Sequence, residues 1–212
     1  MKIRFLATAL LLAPLCLAGA PRIAGAQYLG QFGPLNHMGT GQKSLGAYLG
    51  SGPGGLGVSG ELRANYEDRA TFGVQAGVAD QVFAAQADLR SGLLGTGGDF
   101  PLMLGGELAG GLMSGGGDTG IYGQVVPGVS FEMDAGEGQS WSGWAGLGFR
   151  LSASKHRIGR GDSLFRVGGR FSFSRQLALA TSLEDVGGAT HLMVGAEYRF
   201  GSHGAANAPG GK

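Results

Sequence analysis

The stretch that decides the fold is THLMVGAEYRF at residues 190–200. Its residues alternate in character, with apolar side chains at Leu192, Val194, Ala196, Tyr198 and Phe200 and mostly polar ones at His191, Glu197 and Arg199. Successive side chains of a β-strand point to opposite faces of the sheet. The stretch therefore predicts a strand with one apolar face, which ends in aromatic rings, and one charged face.

The same alternation recurs along most of the chain and predicts further strands, separated by short turns. We expect strands near residues 44–50, 56–66, 70–78, 81–90, 100–113, 120–133, 141–154, 164–174, 177–184 and 190–200. No helical segment separates them, so the strands form an antiparallel up-and-down meander. A meander of about eight to ten strands closes into a barrel, which removes its exposed edges. The predicted fold is an all-β, closed antiparallel barrel.

The composition excludes several other classes of protein. The chain has 45 glycines in 212 residues without a Gly-X-Y period, so it is not collagen-like. Glycine instead suits tight turns and crowded, curved strands. The net charge of +1 argues against a general nucleic-acid binder.

The N-terminus reads as an export signal. Lys2 and Arg4 precede an apolar stretch at residues 5–17, and the small residues at 24–26 predict cleavage before Gln27. The single cysteine, Cys16, would leave with this signal. The expected organisation is a signal peptide at 1–26, a periplasmic lead-in at 27–42, a barrel at 43–200 and a flexible tail at 201–212.

The strand positions that alternate with the apolar ones carry charges of both signs in nearly equal number. We expect these side chains to line the lumen: Glu61, Arg63, Asp88, Arg90, Glu107, Glu132, Arg150, Arg166, Arg170, Glu184, Glu197 and Arg199. Unpaired charges in a lumen are costly, so a balanced set predicts ion pairs.

Alternation alone does not decide whether the apolar face points inward or outward. A soluble barrel encloses its apolar face, whereas a membrane barrel turns it toward lipid. The export signal, the strand lengths and the balanced charges favour the membrane. Aromatic residues near strand ends, which suit a membrane interface, point the same way: Tyr66, Phe100, Trp141, Phe173, Tyr198 and Phe200. The alternative is a soluble periplasmic or secreted barrel that binds an apolar ligand.

The final strand resembles the C-terminal signature of bacterial outer-membrane β-barrel proteins. Residues that match the signature are Leu192, Val194, Tyr198 and Phe200. The resemblance implies that outer-membrane lipid surrounds the barrel and that the barrel-assembly machinery recognises this strand. The chain departs from the pattern because residues 201–212 follow Phe200, whereas the family usually ends at the phenylalanine.

Candidate catalytic and cofactor motifs are weak. Residues 50–55 and 55–60 match the spacing of a dinucleotide fingerprint, but a strand follows instead of the helix that would hold a pyrophosphate. The four histidines show no metal-ligand spacing, so we expect no cofactor or metal. His191, Ser182 and Glu184 could meet across the last hairpin, either as a lipid-modifying enzyme's triad or as polar residues of the lumen.

Two basic groups remain. Lys155, His156, Arg157 and Arg160 fall in a predicted outward loop at residues 155–162, where they either contact lipopolysaccharide phosphates or are simply solvated. Arg150, Arg166 and Arg170 either form a constriction that favours anions or pair with Glu132 and Glu184. The expected function is a structural or interaction role in the outer membrane, or limited passage of small solutes through a narrow charged lumen.

Overall fold

The structure is a computed structural model that describes residue 38 and residues 41–53, 55–67, 70–79, 81–95, 102–115, 118–154 and 157–201. The predicted signal peptide, the cleavage site and the tail from residue 202 lie outside these residues. Within them, no helix combines the length and the apolar character needed to cross a membrane.

Ten strands account for nearly all of the described chain. They are β1 (Lys43–Gly52), β2 (Gly55–Glu67), β3 (Ala70–Ala79), β4 (Val82–Gly95), β5 (Leu102–Gly115), β6 (Asp118–Gly136), β7 (Gln139–Ser154), β8 (Arg157–Ser172), β9 (Leu177–Val186) and β10 (Ala189–Phe200). Each strand pairs in antiparallel fashion with the strand that follows it, and β1 also pairs with β10. The predicted closed up-and-down barrel is confirmed, with ten strands.

The barrel is inverted relative to a soluble one. Along β3 exposed and buried residues alternate, and in β2 the apolar Leu62 is 47% exposed while its neighbour Arg63 is 2% exposed. The same contrast holds for Leu89 at 46% and Arg90 at 1% in β4. Apolar side chains facing outward and charged ones facing inward are what a lipid surrounding requires. The fold is therefore that of a transmembrane β-barrel, and the alternative of an apolar interior in a soluble barrel does not fit it.

The two ends of the barrel differ. We call the end that holds Lys43 and Phe200 the terminal end, and the other the hairpin end. The hairpin end carries five hairpins whose strands are separated by two residues each, at 53–54, 80–81, 116–117, 155–156 and 187–188. Gly187 and Gly188 both have positive φ, at 58° and 87°, as such tight turns require.

The prediction of a basic loop at residues 155–162 is wrong from Arg157 onward, whereas residues 155–156 lie outside the described residues. β8 begins at Arg157, which pairs with Ser154 of β7, and the ladder resumes at Arg160 opposite Ser152 and continues through Asp162. Gly159 has a φ of 75°, and the β7–β8 pairing is irregular between Ser152 and Ser154. Both features allow β8 to include a stretch whose sequence is typical of a turn.

Outward-facing aromatic rings gather at the terminal end. Tyr66, Trp141, Phe173, Tyr198 and Phe200 are between 40% and 80% exposed there. Phe100, predicted to belong to the same set, lies outside the described residues. The tyrosine and tryptophan rings among them have a polar edge that suits the boundary between lipid and water, so this end marks one membrane interface.

Candidate functional site in the barrel lumen

The structure brings the twelve predicted lumen charges together inside the barrel. All twelve lie on the inward parity of their strands. Glu132 and Arg199, near the terminal end, are partly exposed. The other ten have between 1% and 5% of their surface exposed: Glu61, Arg63, Asp88, Arg90, Glu107, Arg150, Arg166, Arg170, Glu184 and Glu197.

Eight of these side chains form one connected set, which we call the central network: Glu61, Arg63, Asp88, Arg90, Glu107, Arg150, Arg166 and Glu184. On its β2–β5 side, Arg63 donates from Nε to Glu61 Oε1 at 2.7 Å and pairs through Nη1 with Asp88 Oδ1 at 2.8 Å. Arg90 continues the chain, with Nε 3.2 Å from Asp88 Oδ1 and 3.0 Å from Glu107 Oε2.

The network then crosses the lumen to β7, β8 and β9. Arg166 Nη1 lies 2.8 Å from Glu107 Oε1, and Arg166 Nη2 lies 3.0 Å from Glu184 Oε2. Arg150 Nη2 is 3.5 Å from the other Glu184 oxygen. Four guanidinium groups meet four carboxylates, so the central network is neutral, which offsets much of the cost of burying its charges.

A second ionic group lies closer to the terminal end. Glu197 bridges two arginines, with Oε2 3.0 Å from Arg170 Nε and Oε1 3.5 Å from Arg199 Nε. Glu132 accepts a hydrogen bond from the Ser140 hydroxyl at 2.9 Å. We call Arg170, Glu197 and Arg199 the terminal cluster. The predicted partners of the lumen arginines are thus partly correct: Glu184 pairs with Arg150 and Arg166, whereas Arg170 pairs with Glu197.

Neutral polar side chains complete the lining of the lumen, and these residues were not predicted to be part of the site. Tyr122 donates from its hydroxyl to Gln86 Oε1 at 2.8 Å, and Gln86 donates from Nε2 to Gln75 Oε1 at 3.1 Å. Gln124 links the two halves of the central network, since it donates to Glu107 at 2.9 Å and accepts from Arg150 at 2.9 Å. These residues share the inward strand positions of the charged residues, and that position in the alternating pattern could have identified them from the sequence.

A small apolar layer also faces inward. It consists of Tyr48, Trp144, Ala180 and Met193, each between 2% and 4% exposed. The alternation did not predict this layer, because a few apolar residues at inward positions leave the alternating pattern unchanged. The apolar layer, the central network, Arg170 and Glu197 are each 5% exposed or less, so the middle of the lumen is filled by side chains.

The candidate catalytic residues are among the buried side chains of the lumen. Glu184 of β9 stands opposite His191 of β10, and Ser182 stands opposite Met193. His191, Ser182 and Glu184 are each 1% exposed. A triad acting on membrane lipid needs access from the lipid-facing wall, and these three side chains lie on the other side of it.

The basic group predicted to contact lipopolysaccharide is only partly described. Lys155 and His156 lie outside the described residues, and for Arg157 and Arg160 the backbone alone is described, within β8. Contact with lipopolysaccharide stays a prediction. Among the described side chains, no group of three or more His, Cys, Asp or Glu residues is placed to hold a metal ion.

Comparison with known proteins gives structural similarity without sequence similarity. No protein-family model and no curated protein matches the chain. An outer membrane channel from Pseudomonas putida F1 is 11% identical, with a TM-score of 0.41, and the match covers 78% of this chain and 98% of that one. The N-terminal barrel domain of Pseudomonas aeruginosa OprF is 10% identical, with a TM-score of 0.38 and coverage of 77% and 100%. A de novo designed transmembrane β-barrel is 10% identical, with a TM-score of 0.39 and coverage of 77% and 98%. Similarity at this level identifies no function.

Proposed function

We propose that the chain is an outer-membrane β-barrel with a structural or interaction role, whose filled, charge-lined lumen limits the passage of small solutes. One observation carries the proposal: every side chain of the central network is 5% exposed or less. A water-filled pore would leave its lining side chains in contact with water. The lumen as described therefore offers no continuous aqueous path.

The membrane assignment rests on the inverted faces. A barrel with apolar residues outside and ion pairs inside would expose a wide apolar surface to water if it were soluble, and such surfaces drive association. The predicted export signal at residues 1–26 supports delivery to the outer membrane, and we propose that location.

The structural or interaction role is supported by the lengths of the connections. The five hairpins at the hairpin end have two residues between their strands, too few to build a binding domain. The lipid-facing wall is then the largest surface that the described barrel offers to a partner. We propose that contacts with lipid or with other membrane proteins are made there.

Single-channel recording in planar bilayers tests the proposal. The purified chain is inserted, and its folded state is verified by the shift in gel migration on heating. We expect a silent barrel. Frequent stepwise currents from the unaltered protein would overturn the filled-lumen function in favour of a pore, and Arg150→Ala and Arg166→Ala should then change the preference between anions and cations.

The location has a separate test. We expect the chain to sediment with the outer membrane and to need detergent for release. Recovery from the soluble periplasmic fraction without detergent would contradict the membrane assignment, whatever the conductance.

A further inference from the structure

On the β7–β8 side of the lumen, the apolar layer lies between the two ionic groups. Along β8 the inward residues run from Arg166 of the central network to Gly168 and then to Arg170 of the terminal cluster. The indole ring of Trp144, on the neighbouring β7, occupies the space above Gly168. The layer therefore fills the inward position of β8 that carries no side chain, between its two arginines.

The next two strands each carry part of the same order. On β9, Glu184 of the central network is followed by Ser182 and then Ala180 of the apolar layer. On β10, Met193 of the layer precedes Glu197 of the terminal cluster. An ion moving along the wall formed by β8, β9 and β10 would thus meet members of the central network, the apolar layer and the terminal cluster in turn.

Glycines let the two aromatic rings of the layer lie close to the wall. A Cβ atom at Gly46 would lie 2.6 Å from two ring carbons of Tyr48, and one at Gly195 would lie 2.7 Å from a third. Contacts this short do not occur, so only glycine accommodates the ring at these positions. The Tyr48 hydroxyl donates to Glu61 Oε2 at 3.1 Å, which fixes the ring from the side of the central network.

The physical difference between the layers decides which one stops ions. Charged and amide side chains can exchange their partners for water, so a rearranged ionic network still supports a hydrated path. An apolar constriction gives water no hydrogen-bonding partner and excludes ions by dewetting. The barrier to ions is then greatest where the lumen is apolar.

We propose that the apolar layer of Tyr48, Trp144, Ala180 and Met193 is the main ion barrier of this barrel, and that the central network chiefly stabilises the fold. The proposal rests on the proposed function, a barrel that is closed at rest. It assigns Trp144 and Met193, which bear no charge, a larger effect on conductance than Arg150.

Planar-bilayer recordings of four variants test the proposal. Trp144→Ala and Met193→Ala each open the apolar layer, Arg150→Ala removes a network charge, and Trp141→Ala is the matched control because Trp141 faces outward and is 41% exposed. We expect stepwise currents from Trp144→Ala and Met193→Ala, and silence from Arg150→Ala and Trp141→Ala. Heat-dependent gel migration confirms that each variant is folded, and Met193→Ala keeps the test valid if Trp144→Ala does not fold.

The outcomes separate the two proposals. Currents from Arg150→Ala together with silence from folded Met193→Ala would overturn the apolar barrier while leaving the closed barrel intact. Silence from every folded variant would also overturn it. Currents from the unaltered protein would instead contradict the proposed function itself.

Discussion

At the scale of single residues, the lumen depends on glycines that make room for large charged groups. Gly73 of β3 faces inward beneath the guanidinium of Arg63, between β2 and β4. A Cβ atom there would lie 2.6 Å from Arg63 Cζ and 2.8 Å from Asp88 Oδ2. The close pairing of Arg63 with Asp88 is possible because position 73 has no side chain.

Gly73→Ala should therefore destabilise the barrel. The added methyl group must displace Arg63 or Asp88 from the central network, and overpacking of this kind costs about 1–3 kcal/mol. The measurement is the free energy of unfolding in urea with the protein in lipid vesicles. Gly110→Ala is the matched control, because the nearest atom to its Cβ would be the Tyr122 carbonyl oxygen at 3.7 Å. Equal stability of the two variants would contradict the packing described for Arg63.

At the scale of strands, β6 contains a break in its ladder. Pro127 lies in the middle of β6, and a proline has no N–H to donate. The β6–β7 ladder reaches Val125 opposite Phe149 and resumes at Gly128 opposite Gly146. Val126 and Pro127 form no ladder pair with β7. Unpaired backbone groups within a bilayer are costly. The β6–β7 pairing is therefore less stable at Pro127 than along the rest of the ladder.

Pro127→Val should stabilise the pairing of β6 with β7. The new N–H can reach the carbonyl of Leu147, which stands opposite in the same register, and one such bond contributes about 0.5–1.5 kcal/mol. The measurement is the free energy of unfolding together with hydrogen exchange at the new amide. A rapidly exchanging amide at position 127 without a gain in stability would contradict this reading of the β6–β7 ladder.

The last strand carries the proposed assembly signal. Phe200 and Tyr198 face outward, are 40% and 48% exposed, and lie on the strand that closes the barrel against β1. We expect Phe200→Ala to lower the fraction of chain that reaches the folded barrel in cells, as judged by heat-dependent gel migration. Phe173→Ala is the control, since Phe173 is an outward ring, 44% exposed, at the same end. An equal loss in both variants would indicate a general aromatic effect and no signal in β10.

Much of this strand-level description was predictable from the sequence, for a physical reason. A strand has a period of two, so alternation at 190–200 fixes which side chains share a face. Strand ends were less predictable. Residues 157–162 contain Gly159, Gly161 and Asp162, which favour turns locally, yet pairing with β7 keeps them in β8. Tertiary pairing overrides local preference there.

At the scale of the whole molecule, the sequence indicated which charges face inward but not how they pair. Glu107 and Arg166 are 59 residues apart and meet across the lumen at 2.8 Å. Such a contact depends on strand tilt and on the register of several hairpins, and no local pattern encodes it. The apolar layer was not predicted for the same reason, because Tyr48 of β1 and Trp144 of β7 join one cluster only when the barrel closes.

The closed barrel also explains the balance of charges. The central network joins six strands to one another across the lumen, so removing one partner leaves a buried charge unpaired. A neutral, filled interior surrounded by apolar side chains needs neither a loop nor a ligand to remain closed. This arrangement fits a barrel whose contacts with its surroundings are made through the wall.

The two tryptophans allow the most direct test of that arrangement. Trp141 faces outward and Trp144 inward, three residues apart on β7, at 41% and 4% exposed. Two single-tryptophan variants, Trp144→Phe and Trp141→Phe, are placed in vesicles that contain brominated lipid, and their fluorescence is also titrated with the water-soluble quencher acrylamide. We expect strong quenching of Trp141 by the brominated lipid and resistance of Trp144 to both quenchers. Quenching of Trp144 by lipid, or of Trp144 by acrylamide as readily as free tryptophan, would contradict an inverted barrel with a filled lumen.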